Sequence, residues 1–334
     1  MKVAILAPVA WRTPPVHYGP WEQMAFNLAE ELVKLGVEVT LFATRDSFTS
    51  GKLNAVIELG YETKKGQDAK VLECLHISNL MEHAKDYDII HNHFDFLPLT
   101  YSNLIATPMI TTIHGFSSEK IIPVYQKYNA NTSYVSISNS DRHEKLNYLA
   151  TVYNGLNIED FTLNTSPKDQ LLFFGRIHPD KGTAEAIAIA KQTNKKLIIA
   201  GIVQDEGYFD REVRPHLNDN IEFIGHAGPE KRNELMGESL ALLHPINFNE
   251  PFGLSVAEAM MCGTPVIAFN RGSMPELIEH GTTGFLVSDV AEASQSVSQL
   301  SKINRTHCSE LAKSRFSAES MAKNYLNLYQ QIIK

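Results

Sequence analysis

The chain has 334 residues, of which 43% are hydrophobic and 20% charged, and its formal net charge is −8. That length is too great for one ordinary core and suits two domains, and the acidic balance argues against a nucleic-acid binder or tight docking on anionic lipid. No run of eighteen apolar residues appears, the opening Met1 to Pro8 is too short for a signal-peptide core, and Cys74, Cys262 and Cys308 are too scattered for a disulfide framework, so a cytoplasmic protein without a strong membrane anchor is expected.

Lys2 to Ala7 is an apolar run of the kind that forms a buried parallel strand. A Pro-rich loop over residues 8–19 follows, carrying Trp11, Arg12, His17 and Tyr18, and Pro20-Trp21-Glu22 opens a helix that Gly36 ends. Val37 to Ala43 then reads as the next strand, giving a βαβ start. No G-x-G-x-x-G is present, so a dinucleotide site has no support. Asp86-Tyr87-Asp88 has the form of a metal-binding D-x-D, yet Ile89-Ile90 continues straight into a strand. The pair therefore sits at the strand's start, whereas ligand sites in open α/β sheets lie at carboxyl ends. No metal is expected there, and Asn92 and His93, at the far end, are candidates to line a cleft. Met109 to Ile113 is a strand with His114-Gly115-Phe116 at its carboxyl end. Tyr134 to Ser140 reads as a strand and then a helix start capped by Ser138 or Asn139. Asp160 to Lys168 is polar, contains Pro167, and suits a linker.

The β/α rhythm restarts at Leu171-Leu172-Phe173-Phe174, followed at once by Gly175-Arg176-Ile177-His178-Pro179-Asp180-Lys181-Gly182 and a helix from about Thr183. A strand, a glycine turn and a helix start make a phosphate cradle, and this one has two cations five residues apart. Arg176 can fork onto a diphosphate while Lys181 acts as a point charge; the alternative is two solvated surface cations. Lys196 to Ala200, Asn220 to Ile224 and Leu240 to His244 are further strands. Glu250 and Glu258 then bracket Pro251-Phe252-Gly253, with a small apolar run from Leu254 to Met261 that Cys262-Gly263-Thr264-Pro265 stops. Glu250 should lie in the loop before a helix and Glu258 near its second turn, with an anion-binding helix start between them. Carboxylates beside a phosphate site suit a ligand that also carries diols; the plainer alternative is a capping residue and a solvated one. Gly272, Gly281 and Gly284 read as turn positions. Ser317 to Lys334 is a final helix with an apolar stripe at Met321, Tyr325, Leu328 and Ile332.

The run Glu250 to Ile267 resembles, nearly letter for letter, the signature E-P-F-G-L-x-x-x-E-A-M-A-C-G-T-P-V-I of glycosyltransferase family 4. Gly175 to Gly182 matches the family's G-R-x-x-x-x-K-G, Thr112 to Gly115 its T-x-H-G, and Asn154-Gly155-Leu156 its N-G-V segment. The resemblance covers nearly the whole chain and is densest from Gly175 to Gly284. It implies an α/β chain of GT-B fold: two Rossmann-like, doubly wound parallel-sheet domains facing a cleft. Their expected bounds are 1–162 for the acceptor side and 168–315 for the donor side, with the helix of 316–334 crossing back to the first domain. It also implies a retaining, metal-independent, cofactor-free transfer of a hexose from a nucleotide-sugar, UDP-linked by preference and GDP-mannose second, to a sugar, glycolipid or small-molecule hydroxyl.

Carried over residue by residue, Glu250 is implied to orient the hexose, Glu258 to hold the ribose diol, His114 to contact the transferred sugar or a nearby phosphate, and Arg176 and Lys181 to grip the diphosphate. Phe252, Gly253 and Leu254 would present backbone to the donor, and Gly225 and Ala227 would lie along the base. Where the family usually has Gly-Gly before Glu, with backbone amides approaching the donor phosphates, this chain has Gly19-Pro20, and Pro20 supplies no N–H, so Gly19 alone is the donor-binding candidate there. Trp11 and Trp21, with Asn92 and His93, are the acceptor-side candidates. A nucleotide-sugar 2-epimerase and a noncatalytic nucleotide-sugar-binding partner are the rival classes; the intact E-x(7)-E pair with G-R-x-x-x-x-K-G favours transfer.

Overall fold

The computed structural model describes residues 1–64, 66–116 and 118–333. The chain divides into two compact units, Met1–Leu156 with Ser317–Lys334, and Asn157–Phe316.

The first unit is built on seven strands: β1 (Lys2–Leu6), β2 (Glu38–Phe42), β3 (Lys52–Asn54), β4 (Ile89–Asn92), β5 (Met109–Ile113), β6 (Ser133–Ser136) and β7 (Tyr148–Thr151). They pair in the order β3-β2-β1-β4-β5-β6-β7, all parallel. The period-2 alternation of β1 supplies both faces. Val3 and Ile5 pack with Leu28 and Leu32 of the helix Pro20–Lys34 and with Tyr325 of the helix Ala318–Ile333, while Ala4 and Leu6 pack with Ile77 and Leu80 of the helix Ala69–Glu82. Parallel neighbours cannot be joined by tight turns, so each needs a crossover, and the helices those crossovers supply cover the two faces.

The C-terminal helix belongs to this unit. Met321, Tyr325, Leu328 and Tyr329 are its buried stripe, and Ala318 N–H donates to Leu156 O at 2.8 Å where Leu156 and Ser317 form a parallel bridge. Between β6 and β7 the structure corrects one expectation: no helix starts at Ser138 or Asn139. Ser138 Oγ accepts from Asp141 N–H at 3.1 Å and lies 3.0 Å from Ser140 Oγ, and Asn139 Oδ1 accepts from the Thr151 hydroxyl at 2.7 Å. Short polar side chains here hold a turn instead of capping a helix.

The second unit has six strands, β8 (Gln170–Phe174), β9 (Lys196–Ala200), β10 (Ile221–Phe223), β11 (Ala241–His244), β12 (Val266–Phe269) and β13 (Gly284–Val287), in the order β10-β9-β8-β11-β12-β13, again all parallel. Residues 160–168, read from composition as a linker, are tied into this unit. Asn164 N–H donates to Cys262 O at 3.1 Å, Arg305 Nε to Asn164 O at 2.6 Å, and Lys168 N–H to Glu238 O at 2.7 Å. In each sheet the chain first winds one way and then the other, between β1 and β4 and between β8 and β11. Those two switch points, at the strands' carboxyl ends, are where such sheets open a crevice. Among the described residues no helix is long and apolar enough to cross a membrane.

Candidate active site

In the second unit the chain leaves β8 through Gly175 and half-buried Arg176, turns through Pro179–Lys181, and enters the helix Thr183–Thr193. It leaves β11 at His244 and reaches Glu250 before the helix Leu254–Met261. The two loops are sewn together: Asn247 N–H donates to Asp180 O at 2.7 Å, and Asn247 Nδ2 to Glu185 Oε1 at 2.8 Å. This brings Lys181 Nζ to 2.5 Å from Glu250 Oε2, with the side chains only 14% and 13% exposed. The same ammonium lies over the Phe248 ring, 4.5 Å from its centroid, a contact that favours a cation stripped of water. His244 Nε2 stands 3.6 Å from Glu250 Oε2, too long for a hydrogen bond. Burial pushes the Glu250 carboxyl up, but His244 and Lys181 together outweigh it and hold the pKa down at about 2. Glu250 is therefore an acceptor-only carboxylate at neutral pH. Arg176 hydrogen-bonds to Gln204 from its Nη1.

The position of Glu250 is also fixed from behind. Ser273 N–H donates to Glu250 O at 3.0 Å, Ser273 Oγ donates to Phe252 O at 2.7 Å, and a Cβ on Gly272 would come within 2.3 Å of Glu250 N. Gly253, at φ 92°, caps the helix in the left-handed region that only glycine enters without strain. Leu254 is half-buried, whereas Phe252 is 2% exposed with its ring edge-on to Phe316.

Glu258 sits in the second turn of that helix, buried, with Oε1 accepting from Arg232 Nη1 at 2.9 Å. Burial raises its pKa and Arg232 opposes the rise. Arg232 in turn lies over the Phe161 ring at 5.6 Å, and its Nε is buried without a partner. Beyond β10, Gly225 O accepts from Gly201 N–H at 2.8 Å, and Ala227 is 7% exposed. His244, Phe248, Gln204 and Arg232 were not singled out in the sequence. Only His244, the last residue of the apolar run that leads into the Glu250 loop, carried a signal that could have found it. A separate hollow of about 1120 Å³ on this unit, lined in part by Thr165, Gln192, Lys195, Ser294 and Arg305, holds none of these residues.

In the first unit His114 follows β5, its ring stacked on Trp21 at 5.6 Å between centroids, with Nε2 2.9 Å from His93 Nδ1. Burial lowers the pKa of His114 to about 3 and that of His93 well below the ordinary value, where His91 and His114 add repulsion, so both rings are neutral at physiological pH. Behind them, His91 contacts the Tyr329 hydroxyl at 2.6 Å and Thr112 Oγ1 at 2.7 Å, and Thr112 Oγ1 contacts the Tyr325 hydroxyl at 2.6 Å. Asn92 and His93, the candidates to line a cleft, do lie at the carboxyl end of β4, but both are buried. Asn92 is fully buried and His93 is 1% exposed. Asn92 Nδ2 donates to Asp95 O at 2.8 Å and its Oδ1 accepts from Phe94 N–H at 2.9 Å, so its amide is spent in shaping the loop after β4. Gly19 caps the helix Pro20–Lys34 at φ 148°, and the backbone N–H of half-buried Trp11 donates to Glu22 Oε1 at 3.3 Å. Asp88 Oδ2 accepts from Lys2 N–H at 2.7 Å at the start of β4. Among the described residues no group of three or more His, Cys, Asp and Glu is disposed to hold a metal ion.

Two doubly wound parallel sheets, with cations and carboxylates converging on a helix start at one switch point, define a glycosyltransferase of the GT-B fold. The chain belongs to glycosyltransferase family 4. The family model described as "Glycosyl transferases group 1" matches residues 157–315 and that described as "Glycosyltransferase Family 4" matches 22–155. An uncharacterised glycosyltransferase of Methanocaldococcus jannaschii is 23% identical over 86% of this chain and 85% of its own length. The D-inositol 3-phosphate glycosyltransferase of Streptomyces avermitilis is 23% identical over 84% of this chain and 76% of its own. Among solved structures, Anabaena HepE in complex with UDP and glucose shares the fold at a TM-score of 0.75 and 18% identity, covering 99% of this chain and all of that one.

Proposed function

We propose that this glycosyltransferase moves a hexose from a nucleoside-diphosphate sugar to a hydroxyl of an acceptor, with retention of configuration and without a metal or other cofactor. The donor lies on the second unit and the acceptor on the first. A UDP-sugar is the first choice, in keeping with the ligands of the solved Anabaena structure, and GDP-mannose the second. The observation that carries the reading is the Lys181–Glu250 pair at 2.5 Å beside the Gly253 helix start. The leaving diphosphate gains negative charge as the glycosidic bond breaks. Lys181, Arg176 and the first N–H groups of the helix Leu254–Met261 are donors fixed before reaction, the arrangement that lowers a barrier most. Glu250, kept ionised, accepts from the hexose hydroxyls and orients the anomeric carbon. Glu258 accepts from the ribose diol, with Arg232 holding its carboxylate in place. His114, neutral, donates or accepts one hydrogen bond near the transferred sugar. The acceptor attacks from the face that the diphosphate leaves, and the departing phosphate takes the hydroxyl proton.

The test is a thermal-shift panel of UDP, GDP, ADP and their sugars. A ligand at a hundred times its dissociation constant adds about 2.7 kcal/mol of stability. UDP and UDP-sugars should give the largest shift, and Glu258→Ala should cut it. Undiminished UDP binding by Glu258→Ala removes the ribose assignment, and release of an epimerised sugar with no acceptor present would make the enzyme an epimerase instead.

A further inference from the structure

At the switch point of the first unit lies a hollow of about 840 Å³ bounded by the loops after β1 and β4 and by the helices Pro20–Lys34 and Ala69–Glu82. Its walls carry two indole side chains, Trp11 and Trp21, and the carboxyl groups Glu22, Glu73 and Asp95. Glu22 is 3% exposed, so it is a nearly buried carboxyl group facing a cavity. Its Oε1 accepts from the Trp11 backbone N–H at 3.3 Å, and no ion pair to it exists among the described residues. Asp95 Oδ1 accepts from the Tyr125 hydroxyl at 2.5 Å. Among the described lining residues Lys70 is the one cation.

These groups share an electrostatic property. Ionised, the carboxyls accept hydrogen bonds from hydroxyls and amines; protonated, each donates one and accepts another. In neither state do they compensate the charge of a phosphate or carboxylate, and a buried charge without compensation costs several kcal/mol. The indole walls offer apolar faces to the C–H side of a sugar or cyclitol ring. From this hollow we infer the chemical class of the acceptor: a polyhydroxylated ring, neutral or amine-bearing, that carries no phosphate or carboxylate, held by Glu22 and Glu73 against Trp11 and Trp21. The inference rests on the reading of this unit as the acceptor side.

Cys74 lines the same hollow and is exposed, whereas Cys262 and Cys308 are buried, so its alkylation by a maleimide reports occupancy without any turnover. The full chain, with UDP present, is treated with maleimide alone and with methyl glucoside, glucosamine, glucose 6-phosphate or glucuronate. Methyl glucoside and glucosamine at saturation should slow Cys74 modification at least threefold, and the two anionic sugars should leave it unchanged. Glu22→Gln with Glu73→Gln should weaken protection by the neutral sugars at least tenfold in concentration and bring the anionic ones to comparable strength. Equal or stronger protection by glucose 6-phosphate or glucuronate in the unaltered chain overturns the inference. So does an absence of protection by every sugar while UDP still raises the melting temperature. Failure of UDP to bind at all would instead overturn the donor assignment, which the separate thermal shift reads.

Discussion

At the scale of single residues, two carboxyls are perturbed in opposite senses. Glu250 titrates near 2 in the folded chain, against an ordinary value of 4.5, because Lys181 and His244 outweigh its burial. A depressed pKa means that the folded state binds fewer protons than the unfolded one. The stabilisation is therefore complete above pH 4.5 and fades as the pH falls toward 2. Glu250→Gln should lose roughly 2–3 kcal/mol at pH 7, and its deficit relative to the unaltered chain should narrow between pH 4.5 and 3 in urea titrations. Glu22 runs the other way: burial raises it to about 7. Here the folded state keeps a proton that the unfolded chain has released, so stability is complete below pH 4.5 and declines as the pH climbs through 7. Glu22→Gln should abolish that decline. The variant should gain on the order of 3 kcal/mol relative to the unaltered chain between pH 4 and pH 8, and equal slopes for both chains would show that the Glu22 carboxyl is solvated.

At the scale of elements, the loop before the helix Leu254–Met261 is held by Ser273 bonding the carbonyls of Glu250 and Phe252, and it passes so close to Gly272 that a Cβ there would strike Glu250 N. Gly272→Ala should displace Glu250 with little effect on the sheet. Misplacement of about 1 Å costs roughly 100-fold in rate, so kcat should fall by that order while the far-ultraviolet circular dichroism is unchanged; a kcat within twofold of the unaltered chain would mean the loop is not held as described. This helix was legible in the sequence: an eight-residue apolar run between a glycine and a Cys-Gly-Thr-Pro stop places Glu250 before it and Glu258 in its second turn. The segment after β6 was misread because Ser138, Asn139 and Ser140 are good caps and equally good turn formers, and nothing apolar and periodic followed to decide between them. Asn92 was placed correctly at a strand's carboxyl end, but whether that end is open or sealed depends on the loop to Asp95. Arg232 reaches Glu258, and Phe248 reaches Lys181, across distant or irregular stretches of chain, where spacing carries no information.

At the scale of the whole molecule, donor and acceptor are assigned to different units, which makes their footprints separable. In hydrogen exchange, UDP should protect backbone in 175–184 and 250–258 and leave 8–17 and 94–101 unaltered, and a neutral polyol should do the reverse. Protection of both sets by UDP alone would break the assignment. The two-sheet architecture was legible from β/α alternation, and so was the final helix, whose stripe at Met321, Tyr325 and Leu328 is the buried one, with Tyr329 added to it. That the Tyr329 and Tyr325 hydroxyls meet His91 and, through Thr112, the same buried network was not legible, since the partners lie more than 200 residues apart.

Because residues 317–333 complete a core begun at residue 2, the first half of the polypeptide leaves the ribosome without its last wall. Synthesis at 5–20 residues per second leaves roughly 8–32 s between emergence of Leu156 and of Ser317. During that interval the faces of Leu28, Leu32 and Val3 await Tyr325 and Tyr329, while 157–316, contiguous in the chain, has all of its own parts. The half made second is thus the one able to finish first, and a nascent chain stalled near residue 316 should expose the opening sheet to protease and to chaperones.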